Sequence, residues 1–391
     1  MESHALQKYG VPFYGAAWVP YYQIRSKIES KEQKQEQDGS EDEAPTADKS
    51  DAISSNHDYV VLVGGGGEGN SGIPNAVVLS RFDFASNSLS DQPVAMFKTD
   101  SDLPYRMAVH PRGDGIICAM QNSCRLFEWD EEESDEVHKL GVKGSEKVLS
   151  ELEDVGLQLA IAFDSEGSTL AAGGEDGKLR VLKWPSLEVV LNESEAHTSV
   201  KDLTFSSPDG LAWFSYSPDG NFLVSLGKRG PGRVWDVTSA SVVASLPTEK
   251  YKGVNIVTWN TTSWKRIRAK QVVRQSVTSF NVSADGKLLA IGTDEGDIAI
   301  INSSNMQVHT MVRKAHLGFV TALAFSDDSR ALLSASMDSS ARVTLIEDKK
   351  KSGLNLWIII FFILLAIVAY YFMKEQGIIP QLDTALSSVQ T

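Results

Sequence analysis

Residues Gly64-Gly65-Gly66-Gly67-Glu68-Gly69-Asn70-Ser71-Gly72-Ile73-Pro74-Asn75 place six glycines between two apolar runs, Asp58 to Val63 and Ala76 to Leu79. Ordering glycine costs more backbone entropy than ordering any other residue. Such a run is expected where the chain takes positive φ, or brings its own amides and carbonyls against a ligand. A phosphate cradle is the first chemistry to test. A P-loop needs Lys followed by Ser or Thr after its last glycine, and no lysine lies between Gly64 and Asn75. A dinucleotide fingerprint needs a helix to start inside the glycines, with its amides aimed at pyrophosphate. Here Pro74 and the β-branched pair Val77-Val78 follow instead. Direct nucleotide binding is disfavoured, which leaves a plain long hairpin or a shaped loop that acts on something else.

Other reactive side chains give no catalytic constellation. Cys118 and Cys124 are too few and too unpatterned for a disulfide framework or a zinc site, and fit a reducing compartment. No Ser-His-Asp order, metal-ligand cluster or cofactor fingerprint stands out, so a hydrolase or an oxidoreductase is not expected. The formal charge of −14 argues against nucleic-acid binding. Much of that charge is local. Glu128 to Glu136 carries seven carboxylates, and Glu29 to Asp58 is acidic and poor in bulky apolar residues. Both read as solvated or disordered insertions. The basic stretch Lys265, Arg266, Arg268, Lys270 and Arg274 reads as a solvated face, with lipid headgroups or an acidic partner as the alternative.

The elements that must carry the loop repeat along the chain. Strand, Asp-Gly turn and strand recur around Ala160 to Val181 and Phe280 to Ile298, with weaker copies at Met107 to Phe127, Phe214 to Asp236 and Leu323 to Leu345. The 43 residues from Asp285 to Asp328 match a WD-type blade. His197 with Trp235-Asp236, and His316, are read as ties between strands of a blade. The expected fold is all-β, a WD40-type β-propeller of nominally seven blades over residues 1–348. Pro12 to Val19 should pair with the last blade to close the ring, which would remove exposed edges. Residues 23–58 would form an acidic insertion on the rim. The spacing from Gly220 to Gly286 is 66 residues, more than one repeat and short of two. A shortened fifth blade is therefore predicted, with strands Val257 to Lys265 and Gln271 to Val273 and an irregular segment near Leu246 to Val254. Ser207 to Gly210 recurs as Ser217 to Gly220, a local duplication.

Leu356 to Met373 is an unbroken run of 18 apolar residues, with Trp357 at one end and Tyr370-Tyr371 near the other. As a helix it would be about 27 Å long, near the thickness of a thin bilayer. Aromatic residues at both ends suit the two interfaces. Lys349-Lys350-Lys351 before the run, against Lys374 after it, orients residues 1–348 toward the cytosol. The expectation is one C-terminal transmembrane helix at 356–373, a basic linker at 349–355 and a short lumenal tail at 374–391.

The glycine-rich loop with its GGGG and GIPN elements, the opening Tyr-Gly-Val-Pro-Phe-Tyr-Gly-Ala and the C-terminal anchor together resemble the Sec-twelve family. This is the endoplasmic-reticulum guanine nucleotide exchange factor family of the COPII pathway. The resemblance implies a seven-bladed cytosolic propeller that promotes GDP release from a Sar-type small GTPase at the endoplasmic reticulum membrane. No nucleic acid and no small-molecule substrate of its own are implied. It further implies that the loop organises around a potassium ion and contacts the GTPase through Gly64, Gly65, Gly66, Gly67, Glu68, Gly69, Asn70, Ser71, Gly72, Ile73 and Pro74. Asn75 matches the family's key asparagine, offering a donor and an acceptor to the GTPase. Ile73 would give an apolar contact and Pro74 would fix the approach. Glu68 would assist the ion, repel phosphates or simply be solvated. A scaffold or cargo-traffic facilitator without exchange activity is the alternative.

Overall fold

The computed structural model describes residues 6–27, 57–69, 71–134, 137–205, 222–227, 230–247, 256–260, 263–346 and 356–376. The chain divides into two compact units, Met1–Ile346 and Glu347–Thr391.

The first unit is a β-propeller. Blade 1 is β2 (Phe13–Trp18), β3 (His57–Gly64) and β4 (Ala76–Asp83), with the short β5 (Ser88–Leu89) and β6 (Ala95–Lys98) both pairing on β4. Blade 2 is β7 (Arg106–Val109), β8 (Ile116–Ala119), β9 (Cys124–Ser134) and β10 (Val137–Gly144). Blade 3 runs β11 (Gln158–Phe163) to β14 (Val189–Glu193), and blade 4 β15 (Val200–Phe205) to β18 (Ser241–Leu246). Blade 6 runs β21 (Val277–Val282) to β24 (Val308–Val312). Blade 7 is β25 (Val320–Phe325), β26 (Ala331–Ser336) and β27 (Ser340–Leu345), completed by β1 (Leu6–Lys8). The repeat is visible in detail. Inner strands β2, β11, β15, β21 and β25 each carry a register shift near their start, as between Val200 and Asp202 or Val320 and Ala322. Such a bulge bends and twists the strand at the crowded axis.

The ring is closed by β1 and not by Pro12 to Val19. Leu6 pairs with Arg342 and Lys8 with Ser340, whereas Phe13–Trp18 is the inner strand of blade 1, paired with β3. The physical reason is order along the chain. The strand that completes the last blade must precede the one that begins the first, so two N-terminal strands are required.

The fifth blade is a two-stranded sheet among the described residues, β19 (Ile256–Trp259) with β20 (Arg266–Lys270). A short fifth blade was expected, but its strands fall elsewhere. The chain turns at Asn260 to Lys265, closed by the bond from Asn260 N–H to Lys265 O (2.8 Å), and Gln271 to Val273 is not a strand. Most of the expected irregular segment, and the duplicated Ser207 to Gly220 stretch, lie outside the described residues.

The acidic runs also need correcting. Residues 21–27 form a short helix, His57 and Asp58 open β3, and residues 28–56 lie outside the described residues. Glu128 to Ser134 continues β9, paired with β10 from Phe127↔Gly144 to Ser134↔Val137. Across that pairing Lys143 meets Asp130 at 3.0 Å.

The core lies between blades. Blades 7 and 1 share Phe13, Val60, Leu62, Val78 and Phe82 with Leu333, Ala335 and Val343. The contact of blades 4 and 5 is thinner, with Val224, Val234 and Leu246 as its fully buried members against Trp259 and Trp264. Cys118 and Cys124, on the facing strands β8 and β9, are free thiols, 0% and 1% exposed. Burial pushes Cys124 up to about 12 and Cys118 still higher.

Among the described residues the second unit holds one helix, Leu356–Glu375. Phe361, Phe362, Val368 and Tyr371 are among its exposed side chains. Among its described side chains, which begin at Ile360, no stretch is long and apolar enough to cross a membrane.

Candidate functional site

The glycine-rich segment is the connection between β3 and β4, entered at Gly64 and left at Ala76, which pair with each other. Its two ends are therefore clamped side by side at the edge of a buried strand pair. A Cβ on Gly64 would overlap the Pro12 carbonyl and press on Phe13 Cα, so β2 can approach only a glycine here. Next to it, Gly65 N–H donates to Pro12 O (3.0 Å). Gly67 has φ +79°, a conformation that side chains disfavour.

Asn75 lies inside the loop, 2% exposed. Its Oδ1 accepts from Gly67 N–H (2.9 Å), and its Nδ2 donates to Gly67 O (3.3 Å) and Asp100 O (3.0 Å). The network fixes the amide orientation, with oxygen toward a donor and nitrogen toward two carbonyls. Its own carbonyl accepts from Thr99 N–H (2.9 Å). The expected presentation of Asn75 to a partner does not match this placement. The amide is consumed in bracing the loop against the β6–β7 connection. That connection is itself tied by Thr99 Oγ1 to Asp102 O (2.6 Å) and by Arg125 to Asp102 (3.3 Å).

The exposed residues are Glu68, Gly69, Ser71, Gly72 and Ile73, with Gly66, Gly67 and Pro74 partly covered and Gly64 and Gly65 buried. Asn70 is outside the described residues. Ser71 N–H donates to Gly69 O (2.7 Å) and Ile73 N–H to Ser71 Oγ (3.3 Å), folding the tip on itself. Ile73 is 37% exposed and is the apolar point of the loop. Sequence reasoning singled out the segment but not the floor it rests on, Pro12 and the Thr99 to Asp102 turn. Those partners are distant in the chain and carry no motif.

A Cβ on Gly66 would meet Ser71 Oγ and, at 2.9 Å, the Cβ and carbonyl oxygen of Ile73, so the tip is closed against this glycine. Among the described residues no His, Cys, Asp and Glu cluster able to hold a metal occurs.

Two of the histidines tie strands within a blade. His316 is buried, with Nδ1 on Ser340 Oγ (2.6 Å) and Nε2 on Ser334 Oγ (2.8 Å); desolvation holds it down at about 4, against the pull of Asp338. His197 Nε2 meets Ser225 Oγ (2.8 Å), which also accepts from Trp235 Nε1 (2.8 Å). Both ties are structural, as their spacing suggested. An axial cavity of about 380 Å³ is lined by the inner strands of blades 1, 2, 3, 4, 6 and 7. Its charged groups are Arg106, Lys201 and Asp202, and Arg106 is spent on the Leu159 and Tyr14 carbonyls (both 3.1 Å).

The WD domain, G-beta repeat family matches residues 154–182, in blade 3 and its approach, and 306–344, from the last strand of blade 6 through blade 7. The chain is similar to SEC12-like protein 2 of Arabidopsis thaliana, 50% identical over 90% of this chain and 91% of the relative. It is 30% identical to SEC12-like protein 1 of the same plant over 77% of this chain and 79% of that one. It is 22% identical to the guanine nucleotide-exchange factor SEC12 of Mus musculus, over 77% and 88% of the two chains. An identity of one half across nine tenths of both chains, on a propeller whose first blade carries the glycine-rich connection, shows that the chain belongs to the SEC12 family.

Proposed function

We propose that this protein is a guanine nucleotide exchange factor that promotes GDP release from a Sar-type small GTPase at the endoplasmic reticulum, and so starts COPII coat assembly and transport to the Golgi. The observation that carries the reading is the braced loop, a short projection with a fixed root and an exposed tip. An exchange factor must bind the nucleotide-free state more tightly than the nucleotide-bound one, since equal affinity shifts nothing. A loop already ordered by Asn75 loses little entropy on engagement, so more of its contact energy is available to displace the GTPase's nucleotide-holding segments. Ile73 supplies the apolar contact at the tip, and Glu68 beside it opposes phosphate.

A potassium ion would be held by backbone carbonyls within Gly64 to Asn75. When bound it supplies a fixed charge that draws the loop's oxygens together. The run 356–373 anchors the protein as a single-pass span, with residues 1–348 in the cytosol and 374–391 in the lumen. Confinement to one membrane raises the effective concentration of a membrane-associating GTPase.

The test is release of a fluorescent GDP analogue from a purified Sar-type GTPase, with the full chain in vesicles. Acceleration is expected, with a lower rate when sodium replaces potassium. No acceleration by the wild-type chain would instead favour a scaffold, the reading that a fifth blade with two strands among the described residues supports. An unchanged rate in sodium would remove the ion.

A further inference from the structure

Two connections share one framework and differ in what they display. Ala196-His197-Thr198-Ser199 leads into β15, and Ala315-His316-Leu317-Gly318-Phe319 leads into β25. In each, the histidine N–H donates to a glycine carbonyl of the preceding blade, Gly177 O or Gly296 O, at 3.1 Å. In each, the imidazole reaches a serine on the second strand of the blade, Ser225 or Ser334, at 2.8 Å. Blade 4 follows its histidine with polar residues, so the framework does not require apolar ones. Blade 7 nevertheless displays Leu317 at 81% and Phe319 at 51% exposure, beside Met337 at 42%.

These three side chains form one patch. Met337 N–H donates to Phe319 O (3.3 Å), and Leu317 N–H to Asp338 Oδ2 (2.7 Å); Asp338 Oδ1 also accepts from Ser340 Oγ, the hydroxyl that meets His316. A buried polar network therefore holds exposed apolar groups in a fixed place. Contiguous apolar surface on such a scaffold marks an interaction site.

The patch and the glycine-rich loop lie on one face of the propeller. Tyr9 N–H donates to Ser339 O (3.2 Å), Thr321 Oγ1 to Phe13 O (2.7 Å) and Gly65 N–H to Pro12 O (3.0 Å). The strip Tyr9 to Pro12 thus runs from the blade 7 turn to the root of the loop, and four residues span at most about 13 Å. A stable protein interface covers roughly 800 Å² on each partner, with aromatic and aliphatic anchors at its core. The loop tip offers Ile73 alone as a large apolar group, too little for such a core. The adjoining patch supplies the remainder.

We propose that Leu317, Phe319 and Met337 form a second docking surface, which grips an apolar face of the same small GTPase whose nucleotide site the blade 1 loop engages; this rests on the exchange reading above. Affinity then resides in blade 7 and the exchange step in blade 1. The test is GDP release by the full chain in vesicles at increasing GTPase concentration, with equilibrium titration of the nucleotide-free GTPase alongside. Leu317→Ser/Phe319→Ser should raise the half-saturating concentration about tenfold or more and leave the maximal rate within about twofold, since one lost anchor of 1.4 kcal/mol is a factor of ten. Ile73→Ser should do the reverse. An unchanged half-saturation in the double variant, with an active wild type, overturns the docking surface and leaves the exchange reading standing. If the wild type releases no GDP, the exchange reading fails by itself. The titration then decides the patch: tenfold weaker binding by the double variant supports it, and equal binding overturns it. Should the double variant fold poorly, Leu317→Ser alone, at the most exposed position of the patch, takes its place in both measurements.

Discussion

Blade 1 and blade 5 depart from the same repeat in opposite directions. Blade 1 adds chain between its middle strands, and blade 5 has, among the described residues, two strands where the complete blades have four. The added chain is anchored at both ends, at Gly64 against Pro12 and at Asn75 against Gly67 and Asp100. The shortened blade packs on blade 4 through a small buried cluster, and its second strand displays Ile267 at 66% exposure between arginines. The difference teaches that a propeller tolerates insertion where strand pairs hold the ends together. Among the described residues of blade 5, β20 instead sets arginines on either side of its exposed isoleucine.

The largest expected effect tests the anchored root. Gly64→Ala should lower stability by more than about 3 kcal/mol, because the new methyl meets a backbone carbonyl that cannot retreat. Gly69→Ala, where nothing lies within 4 Å, should stay within about 0.5 kcal/mol. Similar urea midpoints for the two would break the contrast between root and tip.

Blade 7 provides the complete-blade reference through pH. His316 titrates near 4 when folded and near 6.5 when unfolded, so below pH 6.5 the unfolded chain binds more protons. Stability from this group is whole above about pH 7 and is lost as pH falls toward 4. Between pH 7 and 5 the loss should be about 2 kcal/mol, and His316→Gln should flatten that part of the profile. A profile unchanged in the variant would show that another group carries the slope. Asp58 and Asp327 oppose it at the acid end, since burial followed by neighbouring carboxylates raises both.

A smaller effect sharpens the role of the brace. Asn75→Ala removes three hydrogen bonds of the loop and should cost about 1 to 2 kcal/mol, with faster amide exchange at Gly67 and unchanged protection in β26. Slow exchange at Gly67 in the variant would mean that the loop holds its shape without the amide. Smallest of all, Ile267→Ser on the edge of blade 5 should shift the urea midpoint by less than about 0.5 kcal/mol equivalent. A larger shift would show that this edge is covered.

The repeat was legible because Asp-Gly turns and alternating strands recur, and the short fifth blade because its interval fits neither one repeat nor two. The closing strand Leu6–Lys8 was not legible, since three residues are too few for any periodicity and its partner lies over 300 residues on. The acidic run from Glu128 was not legible as a strand, because its partner β10 is fixed by a pairing that composition does not show. The contacts by which Asn75 braces the loop were not legible. Composition shows that an amide is present, while the choice between partner and floor depends on Thr99 and Asp100, brought near only by the β4–β6 pairing.

The two thiols of blade 2 turn folding into something that can be timed. Cys118 and Cys124 are sealed and held protonated, so a thiol reagent can act only in the moments when β8 and β9 part. With reagent in excess, the pace of their modification becomes a clock for the opening of the blade next to the loop, read in a native protein without denaturant.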